Sequence, residues 1–393
     1  MAEPFRILTL NTISPLGLKR FASGSYTVGG QVPDPDAILV RSQDMHQMEI
    51  ARNVKAVGRA GAGTNNIPVT ALSRRGVPVF NAPGANANAV KELVIAAMLM
   101  AARNLIPAMT FAATLKGDDA TLHKLVEDGK KHFVGTELPK HTLGIIGLGK
   151  IGSLVADAAI KLGMNVMGFD PHITVDAAWS LPSQVRKAHS VEEVLKGSDY
   201  VTLHAPLVDL TRHMINTERL KLVKHGAILL NFARDGLVDE VAVMEALAER
   251  RLRYYMCDFP TQRLQGRPHV VALPHLGAST REAEDNCAVM VVDQVRDFLE
   301  HGNIIHAVNF PEVVMGREAP FRVGIANANV PNMVGQISTA MARAGLNIHN
   351  MLNKSRGDMA YTLVDADSAV PQTLLAELAG IKGVLSVRYL PQE

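Results

Sequence analysis

The chain has 393 residues, 47% hydrophobic and 20% charged, enough apolar material for more than one core. Its formal net charge of +2 gives no bulk attraction to nucleic acid or to a membrane surface, so neither partner is expected. The two cysteines, Cys257 and Cys287, have no metal-binding spacing and fit a reducing compartment. The opening MAEPFRILTLN reads as a strand, without the basic start and apolar run of a secretory leader. The longest apolar run, Leu93 to Ala102, is too short to span a bilayer, and a cytoplasmic chain is expected.

In chain order, AILV (37–40), VKAVG (54–58) and VPVFNAP (77–83) are expected buried strands, each followed by a polar or glycine-rich turn. A long helical run, AVKELVIAAMLMAARNLIPAM, is expected to close at Pro107. The polar segment 115–138 is expected to connect two lobes. From Thr142 the pattern becomes strand, glycine turn, helix, strand, with later strands at 200–206, 227–233, 254–259 and 270–275. Alternating strands and helices predict α/β architecture with doubly wound parallel sheets. A helix is expected from Thr280 to Gly302, then a linker over about 309–320. The last seventy or so residues read strand, helix, strand, strand, helix, strand, a small α+β unit with its own core.

GLGKIG places Gly147, Gly149 and Gly152 in the G-x-G-x-x-G order, after a strand and at the start of a helix. Gly147 allows the tight turn, Gly149 lets backbone N–H groups approach a pyrophosphate, and Gly152 permits close helix–strand packing. The helix N-terminus faces the phosphate charge. Asp170 ends the second strand, where a carboxylate accepts hydrogen bonds from both ribose hydroxyls and repels a 2′-phosphate. NAD is therefore the expected coenzyme.

Taken with that motif, VGRAGAGTNNI, NAPGANANAVKELV, HAPLVDLTRHMI, NFARDGLVDE and PHLGASTREAEDN give nearly the whole chain a resemblance to the D-2-hydroxyacid dehydrogenases. Within them it resembles the phosphoglycerate branch, in the short form with a C-terminal ACT domain. The resemblance implies a Rossmann-type NAD domain (102–281) inserted in a flavodoxin-like substrate domain (1–101 and 282–310), followed by an ACT domain (318–393). It implies oxidation of D-3-phosphoglycerate to 3-phosphohydroxypyruvate, the first step of serine biosynthesis, by a homodimer or homotetramer. Two other readings stand beside it: a reductase of hydroxypyruvate or another 2-keto acid, and an NAD(H)-sensing regulator with little turnover.

The chemistry requires that the substrate carboxylate be held, the carbonyl polarised and a proton exchanged. Arg234, after a buried strand, suits the first two tasks, because a guanidinium binds a carboxylate in a fork and stabilises charge on oxygen. The resemblance makes it the catalytic arginine and His275 the acid/base. It assigns Lys150, Ile151, His204, Pro206, Thr211, Ala233, Asp258 and Gly277, with the three motif glycines and Asp170, to the coenzyme. His204 is equally readable as a core histidine. Relatives usually carry a glutamate about five residues after the aspartate that matches Asp258, paired with the histidine. Here that count falls on Arg263, and no acidic residue lies between Asp258 and Glu282. A glutamine, a carboxylate from elsewhere in the fold, or no support at all remain open for His275.

A phosphorylated substrate needs fixed positive charge. Arg41 ends a strand and Arg59 precedes a glycine turn, a credible anion nest, with solvated strand-end arginines as the bland alternative. By resemblance the substrate site comprises Arg41, Ser42, Arg59, Gly61, Gly63 and Lys131, the last reaching across a dimer interface. In the C-terminal unit, Asn327, Asn329 and Asn347 stand where serine-inhibited relatives bind L-serine, although a module without an effector is also readable. Asn332 replaces the usual glycine of that loop.

Overall fold

The computed structural model describes residues 3–392 and forms two compact units, one running to Asn86 and resuming at Arg281, the other Ala87–Thr280. The first unit opens with β1 (Phe5–Leu10), β2 (Tyr26–Gly29), β3 (Ala37–Val40), β4 (Ala56–Arg59) and β5 (Val79–Phe80). They form a parallel sheet in the order β2-β1-β3-β4-β5. All four residues of β3 are buried, as a short apolar run covered on both faces requires. The helix Arg281–His301 lays Ala288, Val291, Val292, Val295, Phe298 and Leu299 into this unit's core, a stripe at three- and four-residue spacing.

The second unit is built on β6 (Thr142–Ile146), β7 (Asn165–Phe169), β8 (Arg186–Lys187), β9 (Tyr200–Leu203), β10 (Ala227–Asn231), β11 (Leu252–Cys257) and β12 (Val270–Ala272). The order β12-β11-β10-β9-β6-β7-β8 is parallel throughout and doubly wound, as expected from the alternation of strands and helices. The unit begins at Ala87 rather than at residue 102. Helix Ala87–Ala102 packs Val90, Val94, Ala97, Met98 and Ala101 into one cluster with Leu143, Ile145, Val155 and Ala159, so its apolar face commits it to this sheet. The helical run breaks at Asn104, whose φ is 50°, and not at Pro107, which sits in the first turn of the next helix, where its missing N–H costs nothing. The segment 115–138 does not connect the units: it lies within the second as helix Asp119–Gly129 and a short 3-10 turn, Lys130–Phe133. Among the described residues no single helix is long and apolar enough to cross a membrane.

The C-terminal strands β13 (Phe321–Ala328), β14 (Ile348–Arg356), β15 (Met359–Ala366) and β16 (Val384–Pro391) form an antiparallel sheet, β14-β15-β13-β16. Helices Met333–Arg343 and Gln372–Gly380 complete the expected strand and helix order, and Val323, Ile325, Ile337, Met341, Val364 and Leu374 form its separate core. The stretch expected as a linker is packed: Phe310, Val313 and Met315 are buried. The module is also tied down by arginines. Arg322, fully buried, grips Asp365 with both arms, Nε to Oδ1 at 2.6 Å and Nη2 to Oδ2 at 2.8 Å, and donates to the carbonyls of His301, Met315 and Gly316. Arg388 donates to the carbonyls of Phe298 and Leu299 and lies 4.3 Å over the Phe298 ring. These guanidiniums donate to carbonyls in the last turn of helix Arg281–His301, where cations are favoured.

Asp365→Ala leaves the Arg322 guanidinium buried without its counter-ion. It is expected to destabilise the module by about 3–5 kcal/mol, read as faster hydrogen exchange of the β13 and β15 amides. A loss below about 1 kcal/mol would show that the pair does not hold the module together.

Candidate active site

Six neighbouring parallel strands of the second unit end on one line. Phe169, Ile146, Leu203, Asn231, Cys257 and Ala272 are successive register partners, from β7 through β6, β9, β10 and β11 to β12. One to three residues beyond this line come Asp170, Gly147, His204, Arg234, Asp258 and His275. The strand ends thus bring the expected coenzyme and catalytic residues to the carboxyl edge, where open α/β sheets bind ligands.

The glycine turn is close-packed behind and open in front. Gly147 has φ +97°, and a Cβ there would meet the His204 carbonyl oxygen at 2.5 Å. A Cβ on Gly152 would meet the Gly147 oxygen at 2.1 Å, whereas one on Gly149 would meet nothing within 4 Å. Lys150 and Ile151 start a helix with no side-chain cap, which leaves its first N–H groups for an anion. Asp170 Oδ2 accepts from Leu148 N at 2.9 Å and Oδ1 from His172 N at 2.9 Å, so the carboxylate also braces the turn. This cradle fits a dinucleotide. His204 Nε2 lies 3.0 Å from Thr202 Oγ1, and its Nδ1 is buried without a partner. Burial pushes the imidazole down to about 3, so it is neutral at physiological pH. Thr211 Oγ1 donates to the Pro206 carbonyl at 2.7 Å and pins that loop.

On the catalytic side, fully buried Asn231 shapes the turn that carries Arg234. Its Nδ2 donates to the Arg234 carbonyl at 2.9 Å, and its Oδ1 accepts from Ala233 N at 3.3 Å. Arg234 is exposed, with Nη1 resting on the Ala233 carbonyl at 2.6 Å. Asp235 does not engage it; its carboxylate accepts from Gly236 N at 2.8 Å. Asp258 is 1% exposed, and both its oxygens are occupied: Oδ1 accepts from Leu276 N at 2.7 Å, and Oδ2 from Gly277 N at 2.6 Å. Its carbonyl accepts from His275 N at 3.1 Å. Sequence reasoning gave Asp258 to the coenzyme; here its carboxylate holds the turn that presents the histidine.

His275 has φ +56°, a left-handed backbone that costs a non-glycine residue energy and is retained where the surroundings impose it. Its exposed ring stands edge-on to Phe259 at 5.3 Å. Within its unit, among the described residues, no carboxylate or glutamine reaches the ring. Gln262 and Gln265 are exposed and make no bond to it, so glutamine support is not found. Arg263, in the place of the family glutamate, is 3.9 Å from Glu240, which also accepts from Thr261 Oγ1 at 3.0 Å. The sequence reading missed Glu240 because it lies some twenty residues earlier in the chain.

In the first unit, Arg59 is the register partner of Val40, and Arg41 follows Val40 directly, so both cations leave adjacent strand ends. Arg59 Nε donates to the Arg41 carbonyl at 3.1 Å, and its guanidinium fills the space a Cβ on Gly61 would take. Asn11 Oδ1 accepts from Ser42 N at 3.1 Å and Gln43 N at 2.7 Å, fixing the turn after Arg41. Asn81 Nδ2 holds the Ala62 carbonyl at 2.6 Å, beside Gly63. Arg41 Nη2 is paired with Glu284 Oε1 at 2.6 Å. Cys287 is buried near this cluster; burial raises its thiol pKa while Arg59 and Arg41 oppose the rise. Lys131 is exposed on its 3-10 turn in the second unit.

In the C-terminal module Asn327 is 1% exposed, donates to the Ala328 carbonyl at 2.8 Å, and has its Oδ1 buried without a partner. It is enclosed by its own module. Asn329 is exposed and donates to the Gly357 carbonyl at 2.9 Å; Asn347 is also exposed. Asn332 takes the left-handed conformation at φ 63°, which asparagine tolerates, and its side chain occupies the space above Gly335.

Residues 95–277 match the family model "D-isomer specific 2-hydroxyacid dehydrogenase, NAD binding domain". The D-3-phosphoglycerate dehydrogenase of Haemophilus influenzae is 32% identical over 356 residues, which covers 87% of this chain and 83% of that one. The chain belongs to the D-isomer-specific 2-hydroxyacid dehydrogenase family, and its second unit carries that family's NAD-binding domain. Among its relatives, the D-3-phosphoglycerate dehydrogenase of Methanocaldococcus jannaschii is 35% identical over 368 residues. The chain spans 64% of that relative's length and 61% of the Synechocystis one. Its fold matches the NAD+-bound 3-phosphoglycerate dehydrogenase of Entamoeba histolytica with a TM-score of 0.60 at 25% identity, over 78% of this chain and 98% of that one.

Asp258→Asn keeps one acceptor but turns an amide N–H₂ toward a backbone N–H. The Leu276 and Gly277 amides are expected to exchange with solvent roughly 10- to 100-fold faster; unchanged exchange would mean that the turn holds without the carboxylate. His204 predicts a pH effect. With its folded pKa at about 3, the unfolded chain binds a proton that the native state refuses between roughly pH 6.5 and 3, so stability falls as pH drops through that window. His204→Gln is expected to flatten that part of the urea-midpoint profile against pH.

Proposed function

We propose that the chain oxidises D-3-phosphoglycerate to 3-phosphohydroxypyruvate with NAD, a reaction that leads into serine biosynthesis. NAD supplies the hydride acceptor; the protein's own groups bind, orient and move the proton. Arg234 grips the substrate carboxylate and steadies charge on the reacting oxygen, and its exposed guanidinium on a braced turn suits both tasks. His275 takes the hydroxyl proton as general base, its exposed ring presented just beyond the end of β12. The observation that carries the choice of substrate is the Arg41–Arg59 pair on adjacent strand ends beside a glycine turn, more fixed positive charge than an unphosphorylated hydroxy acid needs.

The active form is proposed to be a homo-oligomer. Helix Leu105–Thr114 is strongly apolar yet buries none of its residues within the chain, which supports a second copy as its cover. We further propose that the C-terminal module is an ACT domain that takes a small amino acid such as L-serine, with exposed Asn329 and Asn347 as the polar contacts.

Steady-state NAD reduction with D-3-phosphoglycerate tests the reading. The double variant Arg41→Ala/Arg59→Ala is expected to lower kcat/KM for that substrate by roughly 100-fold or more, while turnover of D-glycerate changes little. Loss on both substrates would remove the phosphate role and favour a general 2-hydroxyacid or 2-keto acid enzyme. His275→Ala is expected to lower kcat roughly 10²- to 10⁴-fold; equal turnover before and after would leave only a coenzyme-binding role.

A further inference from the structure

The end of β3 opens on a cavity of about 230 Å³, whose lining includes Thr12, Ser14, Arg41, Arg281, Glu284 and Asp285. An anion arriving at Arg41 does not find it free. Glu284 Oε1 already sits 2.6 Å from Nη2, the distance of a charge-assisted hydrogen bond. The neighbouring acid is committed elsewhere, since Asp285 accepts the Ser14 hydroxyl. The Arg281 side chain is exposed and makes no hydrogen bond or ion pair among the described residues. It begins the helix on which Glu284 stands three residues later, the spacing that brings two side chains together on one helical face.

We infer that Glu284 is a resident counter-ion of Arg41 that the substrate's phosphate must displace, and that Arg281 receives the displaced carboxylate. The inference rests on the proposed phosphorylated substrate and concerns how its site is kept when empty. Arg41 and Arg59 leave adjacent strand ends and both act on the buried Cys287 thiol, so a carboxylate on Arg41 between substrate visits lowers the local positive charge. The Arg41–Glu284 pair is 36% and 41% exposed at its side chains, so water screens it and it yields to a dianion at little cost. A carboxylate left beside a bound phosphate would repel it, and Arg281 offers the carboxylate another cation one helical turn away.

The exchange predicts a sign that a structural ion pair would not give. Glu284→Gln removes the competitor and is expected to lower KM for D-3-phosphoglycerate about 3- to 10-fold, with KM for D-glycerate unmoved. Arg281→Gln is expected to raise KM for the phosphorylated acid in the wild-type background and to have no effect in the Glu284→Gln background, because there is then no carboxylate to receive. Inorganic phosphate, titrated by calorimetry, is expected to bind the four proteins in the same order without turnover. A raised KM and weaker phosphate binding in Glu284→Gln would make Glu284 a support for Arg41 and overturn the inference. An equal effect of Arg281→Gln in both backgrounds would make Arg281 a direct phosphate ligand and overturn the exchange. Wild-type protein that binds phosphate in this order but does not oxidise D-3-phosphoglycerate would retain the exchange and reject the proposed substrate.

Discussion

The site depends on a shared stopping point. Because β7, β6, β9, β10, β11 and β12 run parallel and in register, their last paired residues lie along one edge, and whatever follows each strand is delivered there. A glycine turn, two carboxylates, two histidines and an arginine, spread over about 130 residues of sequence, are delivered to one edge by the register of the strands. Each strand is short and apolar, so a one-residue slip would exchange the residues on its two faces and move the following residue off the edge. The core therefore specifies the site as much as it specifies the fold.

Buried polar groups then set the local geometry. Asn231 and Asp258 spend their hydrogen-bonding capacity on backbone groups of the turns that carry Arg234 and His275. Asn11 does the same for the turn after Arg41. In each case a short side chain replaces the partners that irregular backbone would otherwise take from water. Among the described residues of its own unit, no carboxylate reaches His275. Arg263, which would oppose an imidazolium, has Glu240 as its nearest counter-charge.

The sequence made legible those parts of the molecule that are local. The glycine turn, Asp170 and the strand ends bearing Arg234 and His275 follow from short apolar runs and their punctuation, and the structure has them at the expected edge. What was hidden depends on partners far apart in the chain. Helix Ala87–Ala102 looked like the end of the first unit, and only its contacts with Leu143 and Val155 assign it to the second. Segment 115–138 is polar enough to read as a connector, yet it is capped by Asp118 and helical. Asp258 was read by position in a motif, and nothing local could show that its oxygens face Leu276 and Gly277. Glu284 and Glu240 carried no signal, because an ion pair between distant residues leaves no periodicity to find.

The C-terminal module illustrates how far apparent modularity can differ from physical independence. Its strand and helix order is self-contained, and its core is its own, so the sequence invites cutting the chain near residue 317. Yet Arg322 and Arg388 supply hydrogen bonds to the last carbonyls of helix Arg281–His301, and Tyr361 donates to the Gly302 carbonyl at 2.9 Å. A truncated chain would keep every residue of the edge site and lose the donors that finish the helix beneath the anion cavity. For anyone trimming or grafting this protein, the usable boundary lies where the helix is completed in space, and that boundary includes Arg322, Tyr361 and Arg388.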